Sequence, residues 1–121
     1  MKIVCFGEIM GRLGPKGHLR LSQADCLEVC YGGSEANVAA SVSILGGSGV
    51  FVSALPDNNP LADAALNSLR SHGADVSNVA RASGRMGLYF IERGASQRPS
   101  RVFYDRAGSV FSKCRPGDFD W

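Results

Sequence analysis

Glycine falls in this chain where apolar runs stop, and that punctuation restricts what the chain can fold into. Gly7 closes the β-prone run Ile3 to Phe6, Gly32-Gly33 precede an Ala-rich stretch, Gly46-Gly47 follow it, and Gly73 ends a second helical pattern. Fifteen glycines at segment ends, not in a low-complexity tract, match an α/β chain with many strand–helix turns.

Between those stops the periodicities differ. Ile3 to Phe6 is apolar on both faces and predicts an interior strand of a covered sheet. Residues 8 to 26 lack helical periodicity and read as extended or looped, with short strands around Arg12-Leu13 and Leu19-Arg20-Leu21. Leu27 to Tyr31 alternates apolar and polar residues, as a half-exposed strand does. The spacing then predicts a helix over Ser34 to Leu45, with Ser34 as N-cap and Glu35 in the first turn, where the helix dipole favours an anion. Ala36, Ala39, Ala40, Ser43 and Gly47 give it a small-residue face beside an apolar one of Val38, Val42 and Leu45. Val50 to Val52 reads as a buried strand. A turn from Pro56 to Pro60 leads into a helix from Leu61 to His72 with a core stripe of Leu61, Ala65, Leu66 and Leu69. Strand and helix alternating in this way predict a doubly wound parallel sheet. Gly87 to Glu92 and Arg101 to Asp105 then alternate with no helix between them and predict an antiparallel hairpin outside that sheet. At the end, Asp118 or Asp120 is placed to cap a helix start.

Bulk properties exclude several classes. A length of 121 residues suits one domain, and a net charge of +2 with scattered Lys and Arg gives no nucleic-acid or membrane-surface footprint. No apolar run is long enough to span a bilayer, and the first apolar stretch is too short for a signal-peptide core. Cys5, Cys26, Cys30 and Cys114 form no C-x-x-C pair, and His18 and His72 lie in unrelated segments, so no metal site is assigned. A reduced, cytoplasmic setting is the expectation. The first glycine loop, Gly7 to Gly11, lacks the dinucleotide spacing of a Rossmann oxidoreductase.

The stretch Tyr31 to Ala39 carries the chemistry. Two glycines before a helix N-terminus let backbone approach a ligand, the first-turn amides offer donors, and Asn37 presents both a donor and an acceptor to a hydroxyl. On the residues alone, a tight turn followed by a polar helix residue explains the same pattern. A wider resemblance separates the two readings. Gly-Gly-x-x-x-Asn with its Ala-rich helix and Gly46 resembles the first signature of the PfkB (ribokinase) family of carbohydrate kinases. Phe6 to Met10 resembles the family's opening strand and acidic residue, and Asp57 its acidic turn. Arg85 to Phe90 and Arg101 to Ser109 resemble the branch that phosphorylates 2-keto-3-deoxygluconate, more than ribokinase itself. The chain departs from the pattern at Gly11, where an apolar residue is usual, and at Leu61-Ala62, where a glycine is.

The resemblance implies a three-layer α/β/α ribokinase-like domain, of which residues 1–121 are the amino-terminal part, with a small β-sheet lid from segments 12–31 and 85–106. It implies ATP and Mg²⁺ for the complete enzyme, a sugar-acid substrate, and a homo-oligomer formed through the lid. It carries substrate contacts to Gly33, Ser34, Glu35, Asn37, Tyr89, Tyr104 and Arg106, and an approach to nucleotide phosphates to Arg106 through Gly108. Tyr104 and Arg106, two apart on a strand, share a face, with Tyr89 placed on the partner strand. Phenols bond hydroxyls and a guanidinium forks onto a carboxylate, so such a face suits a polyhydroxy acid. Without the resemblance, Arg106 reads equally as a solvated surface arginine. The family's second signature, Asp-Thr-x-Gly-Ala-Gly-Asp, which supplies the catalytic base and anion hole, does not occur in the sequence. No residue is therefore assigned as catalytic, and the expectation is a partial chain that is inactive alone. The alternatives are another sugar kinase of the family, such as a fructokinase, and a non-catalytic sugar-binding or assembly module.

Overall fold

The computed structural model describes all 121 residues. In chain order the elements are β1 (Lys2–Phe6), β2 (Met10–Gly14), β3 (Glu28–Gly32), α1 (Ser34–Ile44), β4 (Ser48–Pro56), α2 (Pro60–Ser71), β5 (Asp75–Ala82), β6 (Leu88–Glu92) and β7 (Arg101–Asp105), with short 3₁₀ turns at Leu21–Gln23, Phe111–Lys113 and Pro116–Asp118. They form two sheets. One is parallel, in the order β1-β4-β5; the other has the order β3-β2-β6-β7.

The parallel sheet and the two helices make the body. Every residue of β4 after Ser48 is buried, which fits its central place. Phe51 and Leu55 point into a core shared with Cys5, Ala36, Ala39, Leu66, Leu69 and Val76. The Ala-rich face of α1 lets the helix settle close to β4. A Cβ on Gly49 would overlap the carbonyl oxygen of Ala39 and lie 2.8 Å from Ser43 Oγ. Ser43 ties the layers together, its hydroxyl donating to Ala39 O (3.0 Å) and accepting from Gly49 N (3.1 Å). Both helices end alike. Gly46 N–H donates to Ser43 O and Gly47 N–H to Val42 O; Gly73 N–H donates to Arg70 O and Ala74 N–H to Leu69 O. Gly46 and Gly73 take φ of 87° and 83°, the left-handed turn that closes a helix in this bonding pattern.

The second sheet forms the lid, outside the parallel sheet as expected. β2 pairs antiparallel with β3 and parallel with β6, and β6 pairs antiparallel with β7. The two sequence-distant lid segments thus join through the β2–β6 ladder, with Arg12 opposite Tyr89.

Several sequence expectations are corrected. β1 is an edge of its sheet, not an interior strand, and Val4 and Phe6 are 56% and 44% exposed. Their outward side meets the chain's last residues, where the Phe6 ring lies 5.3–5.6 Å from those of Phe111, Phe119 and Trp121. Residues 19–20 are not strand, and Leu21 begins a 3₁₀ turn. Gly33, not Ser34, is the N-cap of α1, with no side-chain cap bond. The α1 face of Val38 and Leu45 is exposed, and the buried residues of the helix are Ala36, Ala39 and Ala40. The buried stripe of α2 is Ala62, Ala65, Leu66 and Leu69, while Leu61 is 42% exposed. Asn59 caps that helix, its Oδ1 accepting from Leu61 N (2.9 Å) and Ala62 N (3.2 Å), and the cap sets the helical phase that turns Leu61 outward. β5 was not expected, because only Val76 in it is buried and its sequence is largely polar. Asp118 accepts from Arg115 N at 2.7 Å within a 3₁₀ turn.

Candidate functional site

The loop between β1 and β2 runs from the body into the lid, and the candidate site is built around it. Gly33 ends the extended backbone that follows β3, with φ of 178°, a conformation open to any residue. What demands glycine there is space. A Cβ would overlap the Glu8 carbonyl oxygen and lie 3.2 Å from its carbon and 3.4 Å from Ile9 Cα. The N-terminus of α1 is thereby pressed against the β1–β2 loop. The first intrahelical bond runs from Asn37 N–H to Gly33 O (2.8 Å), which leaves the amides of Ser34, Glu35 and Ala36 ahead of the helical ladder. Ser34 and Glu35 are exposed, and the Glu35 side chain fills the space beside Gly7 that a Cβ there would occupy.

The lid supplies the opposite wall. Tyr89 and Tyr104 are directly cross-strand in the β6–β7 ladder, so both project from one face, with ring centroids 5.9 Å apart at 37°. The Tyr89 hydroxyl reaches back to Gly32, whose missing side chain leaves it room: a Cβ there would be 2.9 Å from the oxygen. Arg106, just past β7, holds its guanidinium carbon 5.9 Å from the Tyr104 ring centroid, a cation–π contact. Its Nε lies 3.0 Å from Glu8 Oε1. The residues close a ring, from Gly33 to Glu8, Arg106, Tyr104, Tyr89 and back to Gly32.

Glu8 is the member the sequence reading assigned no role. Its side chain is 4% exposed, against 48% for Arg106. Ser109, 1% exposed, donates its hydroxyl to Glu8 Oε2 at 2.7 Å. A buried carboxylate left unpaired costs several kcal/mol, so the arginine and serine are conditions for placing a charge there. A second ion pair braces the same corner, in which Arg85 donates to Asp105 Oδ1 (2.9 Å) and to Asp105 O (2.8 Å). The Asp105 carboxylate, through that hydrogen bond first and its charge second, raises the Arg85 pKa further. The signal for Glu8 in the sequence was an acidic residue directly after a strand-closing glycine. Its partners stand about a hundred positions away, beyond any local pattern.

Asn37 donates its backbone N–H to Gly33 O, while its side chain is not among the contacts that close the ring. It lines a recess between α1 and α2 with Ile9, Tyr31, Ser41, Ser68 and His72. Gly108 takes a left-handed φ of 69° with open space where a side chain would be. No group of three or more His, Cys, Asp or Glu side chains is placed to hold a metal ion, and no helix is long and apolar enough to cross a membrane.

Comparison with known proteins identifies the family. Residues 1–115 match the pfkB family of carbohydrate kinases. The chain is 39% identical over 117 residues to the 2-dehydro-3-deoxygalactonokinase of Haloferax volcanii, covering 97% of this chain and 36% of that protein. It is 36% identical over 107 residues to the Arabidopsis thaliana protein named "Probable fructokinase-7", covering 84% of this chain and 30% of that one. The crystal structure of 2-dehydro-3-deoxygluconokinase from Thermotoga maritima superposes with a TM-score of 0.96 at 54% identity, over 100% of this chain and 37% of that one. The chain belongs to the pfkB family, and it spans about a third of the length of these relatives.

Proposed function

We propose that this pfkB-family chain carries the sugar-recognition part of an ATP-dependent kinase for 2-keto-3-deoxygluconate, which places phosphate on the terminal hydroxyl. The observation that carries the reading is the Tyr89–Tyr104–Arg106 face set opposite the glycine-led start of α1. The first-turn amides with Ser34 and Glu35 take sugar hydroxyls from one side, and Asn37 contributes from its recess one turn on. The two phenols take hydroxyls from the other side, and the Arg106 guanidinium takes the carboxylate. The names of the Haloferax and Thermotoga relatives support a 3-deoxy-2-keto sugar acid, and the two names differ in the configuration of the sugar.

ATP and Mg²⁺ belong to this reading as co-substrate and activator. No metal-holding cluster is found on this chain, so no step is assigned to its residues through the ion. Arg106 through Gly108 are proposed to approach nucleotide phosphates, a reading supported by the open turn at Gly108. No residue here is assigned the base that activates the hydroxyl. Phosphoryl transfer depends on positioning and charge stabilisation of the γ-phosphate, and this chain by itself is expected to phosphorylate no sugar. The setting proposed is the cytoplasm.

Calorimetric titration tests the reading. The chain is expected to bind 2-keto-3-deoxygluconate more tightly than fructose, and Arg106→Ala to weaken the acid by about 10- to 150-fold, the equivalent of a charge-assisted hydrogen bond of about 1.5–3 kcal/mol. Equal affinity for fructose and the acid, unchanged by Arg106→Ala, would favour a fructokinase-type site and overturn it. A further role in self-association is supported by the free edge of β7, where Val102, Phe103 and Tyr104 are 46%, 38% and 64% exposed. Sedimentation equilibrium should give a homo-oligomer that a Val102→Lys change dissociates; a monomer at every concentration refutes that role.

A further inference from the structure

Two carboxylates are buried in this chain. Glu92, at the end of β6, accepts the Leu21 amide at 3.4 Å. Glu8 sits at the junction of body and lid, and both its oxygens are engaged by residues that follow β7: Oε2 by the Ser109 hydroxyl and Oε1 by Arg106 Nε. The chamber is fitted to the carboxylate. A Cβ on Gly87 would lie 2.6 Å from Oε2, and Ser109 Oγ is itself held by the Ser112 amide at 3.3 Å.

The nitrogen that Glu8 engages decides what Arg106 has left to offer. The ion pair places Nε as the nitrogen of Arg106 nearest to Glu8, which leaves both terminal nitrogens for a second, forked partner, and Arg106 makes no other ion pair. Its side chain is half exposed, so that fork is accessible, and the Tyr104 ring flanks it. We infer that Glu8 is a positioning residue for sugar-acid recognition: its ion pair, closest at Nε, orients the Arg106 guanidinium and presents the two terminal nitrogens as a fork to the substrate carboxylate. The inference rests on the sugar-acid reading above. Two consequences follow. Because the Glu8 charge offsets that of Arg106, selectivity for the acid comes from the geometry of the fork more than from net positive potential. And because Glu8 precedes β2 while Arg106 and Ser109 follow β7, the fork exists only when these sequence-distant segments are joined.

The test uses two substitutions, two sugars and one spectrum. Glu8→Gln keeps the size of the side chain and an oxygen facing Nε; Glu8→Ala removes both. By calorimetry, Glu8→Ala should weaken 2-keto-3-deoxygluconate by about tenfold or more and fructose by less than about twofold, while Glu8→Gln stays within about threefold of wild type for the acid. In a ¹H–¹⁵N spectrum of arginine side chains, the Arg106 Nε–H signal should stand apart in wild type and in Glu8→Gln, and collapse into the solvent-exposed group in Glu8→Ala. Wild-type acid affinity in Glu8→Ala, or equal losses for both sugars in both variants, overturns the inference and leaves the sugar-acid reading intact. A wild-type chain that binds no sugar acid overturns the reading and this inference with it. If Glu8→Ala does not fold, Glu8→Gln decides: a loss beyond tenfold for the acid refutes positioning by geometry.

Discussion

Replacing Gly33 by alanine tests whether α1 is pressed onto the β1–β2 loop as described. The added methyl would overlap the carbonyl oxygen of Glu8, and the neighbouring atoms, at 3.2 and 3.4 Å, are also backbone. No flexible side chain can yield, so α1 or the loop must move by roughly 1 Å, the kind of overpacking that costs about 3 kcal/mol at its upper range. The unfolded chain loses entropy in the same substitution, which returns roughly 0.4–1 kcal/mol, because φ of 178° suits alanine. The net loss is about 2 kcal/mol. With an unfolding entropy of about 2.1 cal/mol/K per residue over 121 residues, or about 0.25 kcal/mol/K, this lowers Tm by about 8 °C. Gly46→Ala is the comparison, since φ of 87° strains alanine but nothing lies within 4 Å, and its cost should be about 1 kcal/mol, near 4 °C. Differential scanning calorimetry reads both. A Gly33→Ala protein melting within about 2 °C of wild type would refute the close approach.

Three other expectations follow from the same structure. Leu66→Ala should cost about 2–5 kcal/mol in urea denaturation and Leu61→Ala less than about 0.5, because the first is 4% exposed and the second 42%; equal losses would contradict the helical phase set by Asn59. Burial, with the Glu35 charge adding to it, pushes the Cys5 thiol pKa up, so iodoacetamide at neutral pH should label exposed Cys26 and Cys30 well before Cys5, as mass spectrometry of the digested protein will show. Hydrogen bonds from Ser77 hold the Asp75 carboxyl below its usual value, so its contribution to stability is present above the ordinary aspartate pKa and is lost as pH falls through the lowered one. An NMR titration of Asp75 that shows an upward shift would contradict that sign.

The sequence made some of this legible because the signals were local. The α1 boundaries, its glycine stop, β4 and the β6–β7 hairpin were all written in short-range pattern, and strand alternation placed Tyr89 near Tyr104 before their register was known. The parallel sheet was read with one strand too few, since β5 buries little beyond Val76 and its composition resembles a loop. Helical spacing puts Leu61 in the core stripe of α2, whereas the smaller Ala62 is the residue that faces inward beside Ala65, Leu66 and Leu69. The parallel pairing of β2 with β6 and the Glu8–Ser109 bond, 101 positions apart, arise only when the chain is folded. Arg106, expected to contact a ligand, is also ion-paired to a protein carboxylate that no local pattern reveals.

Titration of ¹⁵N-labelled chain with 2-keto-3-deoxygluconate, followed by backbone and arginine side-chain resonances, tests the central claim most directly. The account predicts saturable shifts confined to residues 32–37, Tyr89, Tyr104 and the Arg106 Nε–H, with the aromatic patch of Phe6, Phe111, Phe119 and Trp121 unmoved. Shifts centred on that patch, or none at millimolar sugar, would contradict it.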